Sequence, residues 1–92
     1  MYIYVITDGK NHKIGISKAP KRRLKQLQTA CAQKLQLIKT YKVTKKNARK
    51  LEHQLHKMFW QSRLRHDGEW FALSTAHLEV LEEWLTNYLD KS

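Results

Sequence analysis

Near its start the chain runs Tyr2-Ile3-Tyr4-Val5-Ile6-Thr7, then Asp8-Gly9-Lys10-Asn11, then His12-Lys13-Ile14-Gly15-Ile16-Ser17. β-branched and aromatic residues favour strands. An Asp-Gly turn between two such runs predicts an antiparallel hairpin. No other stretch limits the fold as tightly. Two paired strands leave a chain of 92 residues room for little more than one further strand and a few helices over one core. Gly15 stands out inside the second strand, because a glycine there marks close approach of backbone or ligand.

Helical spacing follows the hairpin. Pro20 suits a first helical turn, and Leu24, Leu27 and Cys31 recur on one side, predicting a helix over about 20–30. Leu35, Leu37, Tyr41 and Val43 share one parity, which predicts a third strand over about 34–43. Thr44 is a candidate cap for a second helix whose apolar stripe is Ala48, Leu51, Leu55, Met58 and Phe59. Gln61 to Gly68 reads as a polar loop with Arg63, Arg65 and His66, and Glu69-Trp70-Phe71-Ala72-Leu73 as a short strand or packed loop end. Ser74 or Thr75 opens a last helix, over about 75–90, along Leu78, Leu81, Leu85 and Leu89. The expectation is one α+β domain over 1–92: a small antiparallel sheet of about three strands, flanking helices and an extra C-terminal helix.

Charge divides the chain. Over residues 1–68, 17 Lys or Arg stand against three acids, a balance of +14, whereas residues 69–92 carry one base and five acids, a balance of −4. A basic body of this kind fits a polyanionic partner, with the acidic helix facing elsewhere. That helix, with Glu79, Glu82 and Glu83, is a candidate surface for a partner protein or a second copy. No apolar run approaches the ~18 residues of a membrane span, and no membrane partner is expected. Cys31 is the single cysteine, so no internal disulfide can form. With no signal-peptide pattern at the N-terminus, a cytoplasmic setting is the expectation.

Three services are needed to hydrolyse a phosphodiester: a group for the attacking water, a cation for the phosphoryl oxygens, and help for the leaving oxygen. Tyr4 is a candidate for the first. An ordinary phenol is a weak base at neutral pH, which cations such as Lys13 and Arg23 would offset. Arginine's forked donors match phosphate, and on this ground alone Arg22 and Arg23 are equivalent. Glu52 is the only acid between Asp8 and Asp67. A solitary carboxylate suits a divalent ion whose shell is completed by water and phosphate; the plainer reading is a helical pair with Lys45 or Arg49. His53 and His56 do not have the order of a zinc protease motif, and no cysteine pair supports a structural zinc.

In order and spacing, these residues resemble a GIY-YIG nuclease domain. Tyr2-Ile3-Tyr4 resembles its first motif and Lys13-Ile14-Gly15 its second. Arg23 resembles its helical arginine and Glu52 its metal-binding glutamate. Arg23-Leu24, Leu51 to His56 and Glu69 to Phe71 are similar to the small Lys-Ile-Gly branch, the meiotically up-regulated gene 113 and phage T-five open-reading-frame type. The resemblance spans about 2–73. It implies a metal-dependent endonuclease, with DNA ahead of RNA as substrate, one Mg²⁺ or Mn²⁺ ion, and a phage or mobile-element setting. Tyr4, Lys13, Arg23 and Glu52 would be catalytic, Glu52 holding the metal and Gly15 serving the motif's backbone. Lys21, Arg22, Lys25, His56 and Arg63 would be further nucleic-acid contacts. Tyr2 replaces the first motif's glycine, and Lys13 the second motif's usual tyrosine. The family's late asparagine and helical histidine have no clear counterparts, so a nucleic-acid-binding module without turnover is the alternative.

Overall fold

A computed structural model describes residues 1–64 and 70–91. Its elements run β1 (Tyr2–Thr7), β2 (His12–Ser17), α1 (Pro20–Thr29), β3 (Gln36–Lys42), α2 (Lys45–Met58), a 3₁₀ turn (Trp60–Ser62), β4 (Trp70–Phe71) and α3 (Thr75–Lys91). The strands form one antiparallel sheet in the order β3-β1-β2-β4. The protein is thus α+β as expected, but with four strands where about three were expected. The fourth is only two residues long and pairs with His12 and Lys13. Glu69 and half of the expected polar loop, residues 65–68 with Arg65 and His66, lie outside the described residues.

The hairpin turn forms as the Asp-Gly signal predicts. Asp8 Oδ1 accepts from the backbone N–H of Lys10 (2.9 Å) and Asn11 (2.7 Å), while the Thr7 hydroxyl donates to the Asn11 carbonyl at 2.8 Å. Gly9 sits at φ +99°, which L side chains rarely adopt. Burial pulls the Asp8 carboxyl up. The two amide donors and the nearby His12 outweigh that pull and hold it below its ordinary value.

β1 is central, so both of its faces are buried. Ile3 and Val5 join Ile14, Val43, Ala48, Leu51, Leu55, Phe71, Leu81 and Leu85 in the core beneath α2 and α3. Tyr4 and Ile6 join Leu35 in a smaller core toward α1, with Leu24 and Leu27 packed against it. β3 serves both. Its pairing with β1 slips at Ile38, so Leu37 opposes Ile6 while Lys39 opposes Val5. This bulge breaks the single parity expected for the strand. Leu35 and Leu37 pack toward α1, Tyr41 and Val43 toward α2 and α3.

Local chemistry sets the helix ends. Thr44 Oγ1 accepts from Asn47 N–H at 3.2 Å and caps α2. Ser74 and His77 form a reciprocal box at the start of α3: the His77 N–H donates to Ser74 Oγ (3.2 Å) and the Ser74 N–H to His77 Nδ1 (3.1 Å). Gln28 ties the end of α1 to the next loop, donating to the Gln33 carbonyl (2.8 Å) and accepting from Leu35 N–H (2.7 Å). Met58 leaves the expected apolar stripe of α2 and is 39% exposed, while Phe59 just past the helix carries the stripe on into the core. Among the described residues no helix is long and apolar enough to cross a membrane.

Candidate active site

β4 covers β2 only as far as Lys13. Beyond that point α2 lies alongside β2, and His56 Nε2 donates to the Ile14 carbonyl at 2.9 Å. A carbonyl only accepts, so this ring nitrogen must carry a proton. Where β2 runs on toward α1, a cavity of about 290 Å³ opens, lined by Tyr4, Ile16, Arg23, Arg49 and Glu52.

Three elements supply its polar walls. Tyr4 comes from the middle of β1, directly opposite Gly15. A Cβ on Gly15 would fall 2.5 Å from Tyr4 Cζ, far inside contact distance. The glycine therefore lets the phenol ring cross β2, and the close approach at this position is made by a side chain, that of Tyr4, where backbone or ligand was anticipated. Tyr4 is only 1% exposed, so the cavity meets a small part of it. Arg23 stands in the first turn of α1, its N–H bonded to the Ala19 carbonyl at 3.0 Å. Its Nη1 donates to Gln26 Oε1 at 3.4 Å. Arg49 and Glu52 are three residues apart on α2, so they share a flank beside the buried Leu51.

The structure thus brings Tyr4, Arg23 and Glu52 to one concavity and adds Arg49, which the sequence reading treated only as a possible partner for Glu52. The i−3 spacing from Glu52 was the available signal. Lys13 lies elsewhere: it is 7% exposed, and its Nζ sits 5.8 Å from the centre of the Trp70 ring, a cation–π contact. His56 packs against Phe71 at 5.1 Å between ring centres while it holds Ile14. Lys21 and Lys25 are exposed on the other flank of α1, along a groove shared with Leu24, Leu35 and Leu37 of the β3 side. Arg22 is exposed on α1, and Arg63 is exposed just past the 3₁₀ turn, its backbone bridged to Phe71.

Chemically, the cavity offers a phenol, two guanidinium groups and one carboxylate. The guanidinium groups suit a phosphate diester. Glu52 is the one carboxylate among the described residues that line the cavity. Such a donor fits Mg²⁺ or Mn²⁺, which keep several waters and use substrate oxygens as ligands. At about 30 Å³ per water, the cavity has room for a hydrated ion beside a phosphate group.

A small antiparallel sheet with helices on both faces and a phenol, guanidinium and carboxylate around one cavity together define an α+β domain with a polar concavity between β1, α1 and α2. The family model described as the T5orf172 domain matches residues 1–88. The chain belongs to that family, which is related to GIY-YIG nuclease-like folds. Neither the curated proteins nor the solved structures contain a match.

Proposed function

We propose that this protein is a metal-dependent endonuclease of the small Lys-Ile-Gly branch of GIY-YIG nucleases, acting on DNA ahead of RNA. The observation that carries this reading is that Tyr4, Arg23 and Glu52, from three separate elements, line one cavity. Arg23 and Arg49 bind the non-bridging oxygens of the scissile phosphate and offset the charge that grows on them. Tyr4 accepts a hydrogen bond from the attacking water through its hydroxyl oxygen and so orients it; as phenolate it would take up the water's proton. Glu52 holds a single Mg²⁺ or Mn²⁺, whose chemistry when bound is to offset charge on the leaving oxygen. Gly15 keeps the Tyr4 ring in place.

The test is a cleavage assay on plasmid and oligonucleotide substrates with Mg²⁺ or Mn²⁺, run beside an EDTA control. Glu52→Ala is expected to lower the rate by about a hundredfold or more without changing the circular dichroism. Equal rates for wild type and Glu52→Ala would remove the metal role.

One observation favours a second reading, a nucleic-acid-binding module without turnover: Lys13 is tucked against Trp70 instead of lining the cavity. That reading calls for salt-sensitive binding and no metal-dependent cleavage. Under either reading, the exposed Glu79 and Glu83 of α3 offer an acidic face for a second copy or a partner protein. Light scattering over a range of concentrations tests self-association.

A further inference from the structure

The outer side of α2 carries Lys46, Arg49, Lys50, His53 and Lys57, all exposed. Their spacings of three and four residues place them in one row along the helix. Glu52 is the only acid in α2. The row starts beside the candidate cavity, which Arg49 lines. It ends at Trp60, which is 64% exposed and the most open large apolar side chain among the described residues. The path stays helical up to that point, with the Phe59 N–H bonded to the Leu55 carbonyl at 3.1 Å. The 3₁₀ turn then begins at Trp60, and the Arg63 N–H bonds to the Trp60 carbonyl at 3.1 Å.

An indole left in water at the end of a cationic row has a definite chemical complement. The row matches a phosphate backbone. The flat apolar ring matches the face of a base, and a base offers its face only when it is unpaired at a strand end, bulge or single-stranded tract. A duplex would satisfy the row and leave Trp60 without a partner. We propose that α2 carries a single-stranded stretch of nucleic acid, with one base stacked on Trp60 and the backbone led along Lys57, His53 and Lys50 to the cavity. Eight residues of helical rise separate Glu52 from Trp60, roughly 12 Å. That corresponds to about three or four nucleotides at the spacing of a stacked strand. The inference rests on the nuclease reading for what happens at the cavity, and it narrows the substrate to nucleic acid with unpaired nucleotides a few positions from the cleaved bond.

The test measures binding of labelled single-stranded and duplex oligonucleotides of equal length, in EDTA, to wild type, Trp60→Ala and Trp60→Phe. Trp60 is exposed and outside both cores, so the variants are expected to fold; circular dichroism checks this. Trp60→Ala is expected to weaken single-strand binding about tenfold or more and to leave duplex binding unchanged. Trp60→Phe is expected to retain most of the single-strand affinity. Single-strand binding by Trp60→Ala equal to wild type would overturn the inference. So would equal losses for both substrates, or a loss of self-association with oligonucleotide affinity intact, which would give Trp60 to a second copy. Because this arm needs no turnover, the two readings fail separately. Trp60-dependent binding without cleavage under Mg²⁺ or Mn²⁺ would end the nuclease reading alone, and cleavage with Trp60-indifferent binding would end this one alone.

Discussion

Helices α1 and α2 both face the candidate cavity, yet they are anchored very differently. α2 buries Ala48, Leu51 and Leu55 completely and continues into Phe59 and the large core shared with α3. α1 buries only Pro20, and its Leu24 and Leu27 lie half-buried over the small core of Tyr4, Ile6 and Leu35. The wall that holds Glu52 and Arg49 is therefore fixed by packing, whereas the wall that holds Arg23 is lightly attached. A carboxylate meant for an ion benefits from rigid support. An arginine meant for a phosphate can tolerate adjustment as the strand arrives. Local stability follows buried contact, so α1 amides are expected to exchange with solvent faster than those of α2.

The largest test of this contrast is a pair of truncations read by urea denaturation. Leu55→Ala should cost about 2–5 kcal/mol, a large share of the stability of so small a domain. Leu24→Ala should cost only about 1 kcal/mol. Equal losses would show that α1 is as firmly seated as α2. Gly15→Ala comes next. The new methyl must displace the Tyr4 ring, at about 1–3 kcal/mol, and a thermal melt should show the loss together with a drop in cleavage. A smaller effect is expected at His12, where burial holds the imidazole below its usual 6.5 and Asp8 pulls the other way. The unfolded chain then takes up the proton more readily than the folded one. Stability is full above 6.5 and falls as the pH drops through the folded value. Melts from pH 7 to 5 should decline for wild type and flatten for His12→Gln. The smallest change is expected at Glu82, which pairs with Lys39 at 2.7 Å across exposed surface. Glu82→Gln should leave the melting temperature nearly unmoved.

Much of this arrangement was legible in the amino-acid order, because the chemistry was local. The Asp8-Gly9 turn, Pro20 at the start of α1 and Thr44 at the start of α2 each act within a few residues, and each lies where expected. Glu52 could be singled out because α2 is otherwise basic. Features defined by distant partners were not legible. Trp70 and Phe71 read equally as a short strand or a packed loop end, and only their pairing with His12 and Lys13 decides for the strand. The slip at Ile38 leaves no mark in composition, so Leu35 and Val43 looked alike and serve opposite cores. Arg49 was one cation among many until folding turned it into the cavity. Nothing in the local order announced that Lys13 would meet the ring of Trp70, far along the chain.

The slip at Ile38 also bears on how the molecule avoids its own kind. β3 is an outer strand, and a straight outer strand invites another chain to add to it. The extra residue bends that margin, and the exposed Lys39 and Lys42 place charge along it. Deleting Ile38 would straighten the margin while leaving Leu37 opposite Ile6 and Lys39 opposite Val5. The shortened chain should then form aggregates rich in intermolecular strands at concentrations where the parent stays dispersed.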